Sequence, residues 1–285
     1  MASLGLAAMG VMFGAFFLIG SWASRRVREG STDDFVLAGR DLPMWIAALT
    51  MTATWVDGGY LLGSAEGTQQ SLALGLQGGL CFGLSLILGG LLFARRMRRH
   101  EFTTLVDPFH VRFGEHWAVV LLTPALLGEL FWSAELLVAL GSTLQVLLGM
   151  EFADGVVFSA VVVTGYTMLG GMWAVAYTDV FQLGLIPLGL LAALPYVLGS
   201  VGGLEACIDA YWSSKQSAAA PIPSPAFGGP EGYWTPIRAL AWWDVSLMLV
   251  LGGVPWNCYF QRVLACRSPE DARRHSILAG LLTML

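Results

Sequence analysis

The chain has 285 residues, of which 56% are apolar and only 12% charged, with a mean hydropathy of +0.66. A soluble domain carries about twice that charged fraction, so an ordinary water-soluble fold is excluded. The formal charge of −5 is less informative than where the charges sit.

Apolar runs long enough to cross a bilayer as helices recur along the chain. The spans expected in order are 4–23, 44–66, 73–94, 117–147, 154–174, 176–198 and 239–266, with another beginning near 275 and running to 285. The first could be mistaken for a signal peptide, but Arg25, Arg26 and Arg28 follow its apolar run instead of preceding it, so a true span with an outside N-terminus is expected. On that orientation the inner connections 24–43, 95–116, the turn at 175 and 262–275 hold 13 of the 15 Lys and Arg residues, as the positive-inside rule requires. The basic run RRMRRH (Arg95–His100) reads as an anchor at an anionic leaflet, and no nucleic-acid partner is expected. The Ser-, Ala-, Pro- and Gly-rich stretch 200–238 reads as an extracellular loop.

The four cysteines form no CxxC pair, and the histidines (His100, His110, His116, His275) fall in polar connections. Neither a zinc site nor a disulfide framework is argued. No nucleophile–histidine pair is expected within the spans, which speaks against an enzyme.

Two spans carry breaks at their centres. TATWVDGGYLLG places Asp57, Gly58 and Gly59 in the middle of 44–66, and LGGVPWNCY places Gly252, Gly253 and Pro255 in the middle of 239–266. Such interruptions free backbone carbonyls and amides that must find other partners at mid-membrane, and discontinuous helices are how many transporters meet sodium and substrate. The two spans run in opposite directions, as an inverted repeat predicts. Tight helix packing around small residues is the competing reading of each glycine pair alone.

Tryptophan normally collects at the membrane interface. Trp55, Trp132 and Trp256 instead fall at or near the midpoints of three different spans. Indole faces at one depth suit a quaternary ammonium ion, which has no N–H to offer a carboxylate; ordinary aromatic packing is the alternative for any one ring. Acidic residues at membrane depth are costly and usually functional. Asp57 stands two residues past Trp55 and could face a cation directly. Glu135 and Glu129 are further candidates, while Glu66 and Asp244, nearer the outer ends, suit a gate or a hydrated structural role.

GGMWAVAYTDVFQ (Gly170–Gln182), TMTATW (Thr50–Trp55), SLILGGLLFA (Ser85–Ala94), LVDPF (Leu105–Phe109), PALLGELFW (Pro124–Trp132) and LGGVPWNCYFQRVL (Leu251–Leu264) together resemble the sodium:solute symporter family, and within it the choline transporters. The resemblance implies an all-α polytopic fold, LeuT-like, with ten core helices in two inverted halves. It implies sodium-driven, chloride-dependent (Na+, Cl−) uptake of choline across the plasma membrane by alternating access. Trp55, Trp132 and Trp256 would form an aromatic cage with Phe82, which stands where the family has tyrosine. The backbone carbonyls of Ala53 and Val56 would join a sodium site, with hydroxyl ligands from a helix beyond Leu285. Asp179, like Glu66, Glu129 and Asp244, is assigned a gating or structural role. Asp57 replaces a family glycine, which bears on charge balance and substrate.

Spans 44–66 to 176–198 make one complete half of the implied fold, and the second half is only begun. The chain is therefore expected to be incomplete or a truncated form. The alternatives kept beside choline symport are a sodium symporter for another small solute, a non-transporting truncated form, and a seven-helix receptor. Sugar fits poorly, since its hydroxyls need hydrogen-bond partners that tryptophans at mid-span do not supply.

Overall fold

The computed structural model describes residues 2–27, 31–215 and 233–285. Arg28 and residues 216–232 of the expected 200–238 loop lie outside the described residues. The described chain is helical, and the β-type pairing among the described residues is an isolated bridge between Leu42 and Cys266.

Helix α1 (Ala2–Ser24) leads to a short α2 (Thr32–Leu37), capped by the Ser31 hydroxyl accepting from Asp34 N–H at 3.1 Å. Helices α3 (Met44–Trp55) and α4 (Gly58–Gln70) follow, separated by Val56 and Asp57. Helix α5 (Leu72–Gly89) passes through a π turn over Gly90–Ala94 into α6 (Arg95–Arg99). A short α7 (Asp107–Phe113) ends at Gly114, whose φ of +87° suits glycine. Helix α8 (Glu115–Leu148) is then followed by α9 (Phe152–Val201) and α10 (Leu204–Lys215). Helices α11 (Pro236–Gly253), α12 (Asn257–Ala265) and α13 (Pro269–Met284) complete the described chain.

At 1.5 Å per residue, the 50-residue α9 would reach about 75 Å as a straight rod, more than twice the bilayer core. It is not straight. Gly171 leaves helical geometry (φ 50°, ψ −139°) and divides it. The turn expected at 175 thus lies four residues earlier. The reason is steric: a Cβ on Gly171 would strike the Phe35 carbonyl oxygen, and one on Gly170 would stand 3.0 Å from the Gly20 carbonyl oxygen. The glycine pair is where α1 and α2 press against α9.

Among the described residues, five helical stretches are long and apolar enough to cross a membrane: Ala7–Ser24, Leu72–Arg99, Glu115–Leu148, Phe152–Val201 and Pro236–Ala265. The α3–α4 pair falls outside that set because its break leaves pieces of 12 and 13 residues. A long apolar helix without an apolar stripe is buried on all sides, by protein or by lipid. Accordingly, α8 exposes Leu126, Leu130 and Phe131, and α9 exposes Leu188 and Leu191, away from the protein core.

That core gathers α3, α9, α12 and α13 around Met51, Trp173, Tyr259, Val263 and Leu264, all buried. A polar knot crosses it. Arg262 on α12 donates to Asp179 Oδ2 on α9 at 3.2 Å, to Thr50 Oγ1 on α3 at 3.2 Å and to the Cys258 carbonyl at 3.3 Å, while Thr50 donates its hydroxyl hydrogen to the same Asp179 carboxylate. Two expectations about polar residues change here. His275, expected in a polar connection, is fully buried within α13, its Nδ1 3.2 Å from the Asp271 carbonyl oxygen and 3.3 Å from Cys266 Sγ. Arg98, read as part of a leaflet anchor, is also buried and donates to the carbonyls of Cys266 (2.6 Å) and Arg267 (3.3 Å). Those carbonyls lie just past the C-terminus of α12, where the helix has no amides left to serve them. Just past the C-terminal end of α1, Arg26 sits 5.1 to 5.3 Å from the ring centroids of Trp22, Trp173 and Tyr177, so the chain already holds one of its own cations among aromatic faces.

Candidate functional site

The last rung of α3 is the Val56 N–H donating to the Thr52 carbonyl at 2.9 Å. Val56 itself (φ −96°, ψ 70°) is no longer helical, so the carbonyls of Ala53 to Val56 have no helical amide to serve them. Asp57 then starts α4 by accepting from Tyr60 N–H at 2.8 Å, the usual work of an N-cap aspartate. The second break, Val254 to Trp256, separates α11 from α12. The two breaks touch: a Cβ on Gly253 would lie 3.2 Å from the Trp55 indole and 2.5 Å from Ser85 Oγ. Glycine at 253 lets α11 close onto α3 and α5.

Between them lies a cavity of about 500 Å³, within the range of small-molecule sites. Trp55, Asp57, Phe82, Trp132 and Trp256 all line it. The rings form two pairs. Trp132 and Trp256 meet edge to face at 5.9 Å and 82°, and Trp55 and Phe82 meet at 4.9 Å and 43°. Asp57 reaches the cavity differently from the sequence expectation. Instead of standing free toward a cation, its carboxylate is committed on both oxygens, Oδ1 to Tyr60 N–H and Oδ2 to the Trp132 indole N–H at 3.2 Å. The physical reason is the break, whose exposed α4 amides need an acceptor at that position.

The remaining expected residues lie elsewhere. Ala53 and Val56 are at the break, half-buried, beside the cavity lining. Glu129 stands next to Asn257 and within reach of the Arg262 charge. Glu66 and Asp244 are exposed and away from the cavity, and Asp179 belongs to the buried knot with Arg262. The cavity wall adds Glu135, Tyr60 and Gln77. Gln77 donates to Ser246 Oγ at 2.9 Å and to the Trp242 carbonyl at 2.8 Å, tying α5 to α11. Tyr60 donates to the Thr283 carbonyl at 3.1 Å, tying α4 to α13. Glu135 was recognisable as an intramembrane acid, and it lies three residues after Trp132, on the same helix face.

A family model described as the sodium:solute symporter family matches residues 35–285. The chain belongs to the sodium:solute symporter family. Among curated relatives of this symporter-family chain, the high affinity choline transporter 1 of Homo sapiens is 38% identical over 290 residues, covering 98% of the chain and 48% of the relative. That of Caenorhabditis elegans is 36% identical over 288 residues, covering 98% and 47%. The sodium/glucose cotransporter 1 of Oryctolagus cuniculus is more distant at 24%, covering 96% and 44%. The chain therefore spans about half the length of the curated relatives it matches. A solved Na+-coupled sialic acid symporter in a substrate-bound outward-open state shares the fold, with a TM-score of 0.73 at 16% identity, over 98% of this chain and 57% of that one. Family and apolar helices together make this a multi-pass membrane protein of a transporter family, not an enzyme.

Proposed function

We propose that this chain supplies the cation-binding cavity of a sodium-coupled choline symporter working by alternating access. The observation that carries the proposal is the cavity itself, in which two ring pairs and a carboxylate surround one space between two interrupted helices. A quaternary ammonium is bound by ring faces and by negative charge nearby, and the cavity offers both. The relatives named as choline transporters support this assignment. Sodium enters as co-substrate at the α3 break, where Ala53 and Val56 present carbonyl oxygens suited to a hard cation. Chloride dependence rests on the resemblance to choline transporters. The arginine distribution supports an orientation with the N-terminus outside, and the plasma membrane rests on the resemblance to choline transporters; α3 to α9 then make the first inverted half and α11 to α13 open the second.

The test is uptake of radiolabelled choline by cells expressing the protein. Replacing external sodium with an organic cation should reduce uptake to the background of untransfected cells, and replacing chloride with gluconate should lower it. Uptake that ignores sodium would remove the symport reading.

A further inference from the structure

The proposed function leaves one carboxylate in the cavity unused. Glu135 lines the same wall as the rings, and no protein hydrogen bond reaches it among the described residues; the charge it faces is that of Asp57. The two acids converge on Gly59, where an added Cβ would stand 3.5 Å from Asp57 Oδ1 and collide with Glu135 Oε1. Each oxygen of Asp57 already accepts a hydrogen bond, from Tyr60 N–H and from the Trp132 indole. Glu135 has no such donor, and among the described residues no Lys, Arg or His lines the cavity to neutralise it. On the same wall Trp55, nine-tenths buried, has an indole N–H without a partner among the described residues. The protein thus leaves an exposed carboxylate without a protein donor beside four rings.

The quaternary nitrogen of choline cannot satisfy the carboxylate. It brings charge but no N–H, so an adjacent carboxylate meets only methyl groups. A protonated amine of the same skeleton also brings charge, and its N–H forms a charge-assisted hydrogen bond to a carboxylate.

Resting on the cavity reading above, we propose that Glu135 is a specificity-determining residue that extends the substrates of this site to N–H-bearing ammonium ions, specifically protonated amino alcohols. Trp132 and Glu135, three residues apart on α8, then divide the work: the ring takes the N-methyl groups and the carboxylate takes the N–H.

The experiment measures binding of choline and of its dimethylamino homologue, protonated at neutral pH, to the purified full chain by indole fluorescence. It is repeated for Glu135→Gln and, as a smaller replacement that a helix accepts, Glu135→Ala. In the wild type the dimethyl cation should bind at least as tightly as choline. In both variants the two affinities fall with the lost charge, and that of the dimethyl cation falls at least about tenfold further. Equal losses for the two cations, or no loss for either, overturn the assignment of Glu135 while choline binding in the wild type leaves the cavity reading intact. If neither cation binds the wild type, both readings fall together.

Discussion

Arg262→Ala should destabilise the purified protein by about 3–5 kcal/mol, because it strands a carboxylate in the core. Asp179 then loses both its charge partner and one of its two donors, and Thr50 alone cannot replace a guanidinium. The knot joins α3, α9 and α12, so its loss loosens the helix that carries the first break from the one that follows the second. Thermal unfolding in detergent would register the effect as a large drop in midpoint. Replacing the pair together, Arg262→Met with Asp179→Leu, removes both buried charges and should recover most of the lost stability, since well-packed apolar residues often match a buried ion pair. A single variant as stable as the wild type would mean that water, not Arg262, compensates Asp179.

The second large effect is on ligand. Trp132→Ala removes a cation-binding face, the edge partner of Trp256 and the indole donor of Asp57 in one step. A cation–π contact in a desolvated site contributes about 2 kcal/mol, so choline affinity should fall about 30-fold. Trp132→Phe retains a face and loses the N–H, and should fall in between. The order wild type, Phe, Ala in a choline saturation curve is the expected result; Phe and Ala variants indistinguishable from wild type would place the ligand elsewhere.

Much of this site could be read in the amino-acid order. Apolar length fixes the depth of a residue within a span, which is why Trp55, Trp132 and Trp256 could be grouped before any coordinates. The Asp-Gly-Gly and Gly-Gly-Val-Pro runs marked the breaks, because glycine and proline disrupt a helix wherever they occur. Azimuth was the missing quantity. The α8 helix is apolar almost all round, so no polar stripe says which side of it faces the cavity, and Glu135 could be weighed only as one acid among several. Once Trp132 is placed, the three-residue spacing puts Glu135 on the same face. Partners far apart in sequence were also hidden. Nothing local in Asp179 announces Arg262, which is 83 residues away, and nothing local in Arg98 announces the end of α12. The same holds for the position of the α9 kink, which depends on Phe35 pressing against Gly171. Asp57 shows the converse: the break was legible, but its consequence, that exposed α4 amides recruit the carboxylate as a cap, required the geometry.

The measurement that bears most directly on recognition by ring faces compares choline with its neutral isostere, in which a quaternary carbon replaces the nitrogen. The two have the same shape and the same hydroxyl, so only the charge differs. Binding to the purified protein, followed by indole fluorescence, should be at least about tenfold weaker for the neutral molecule. Equal affinities would show that the cavity reads shape alone and would contradict the account.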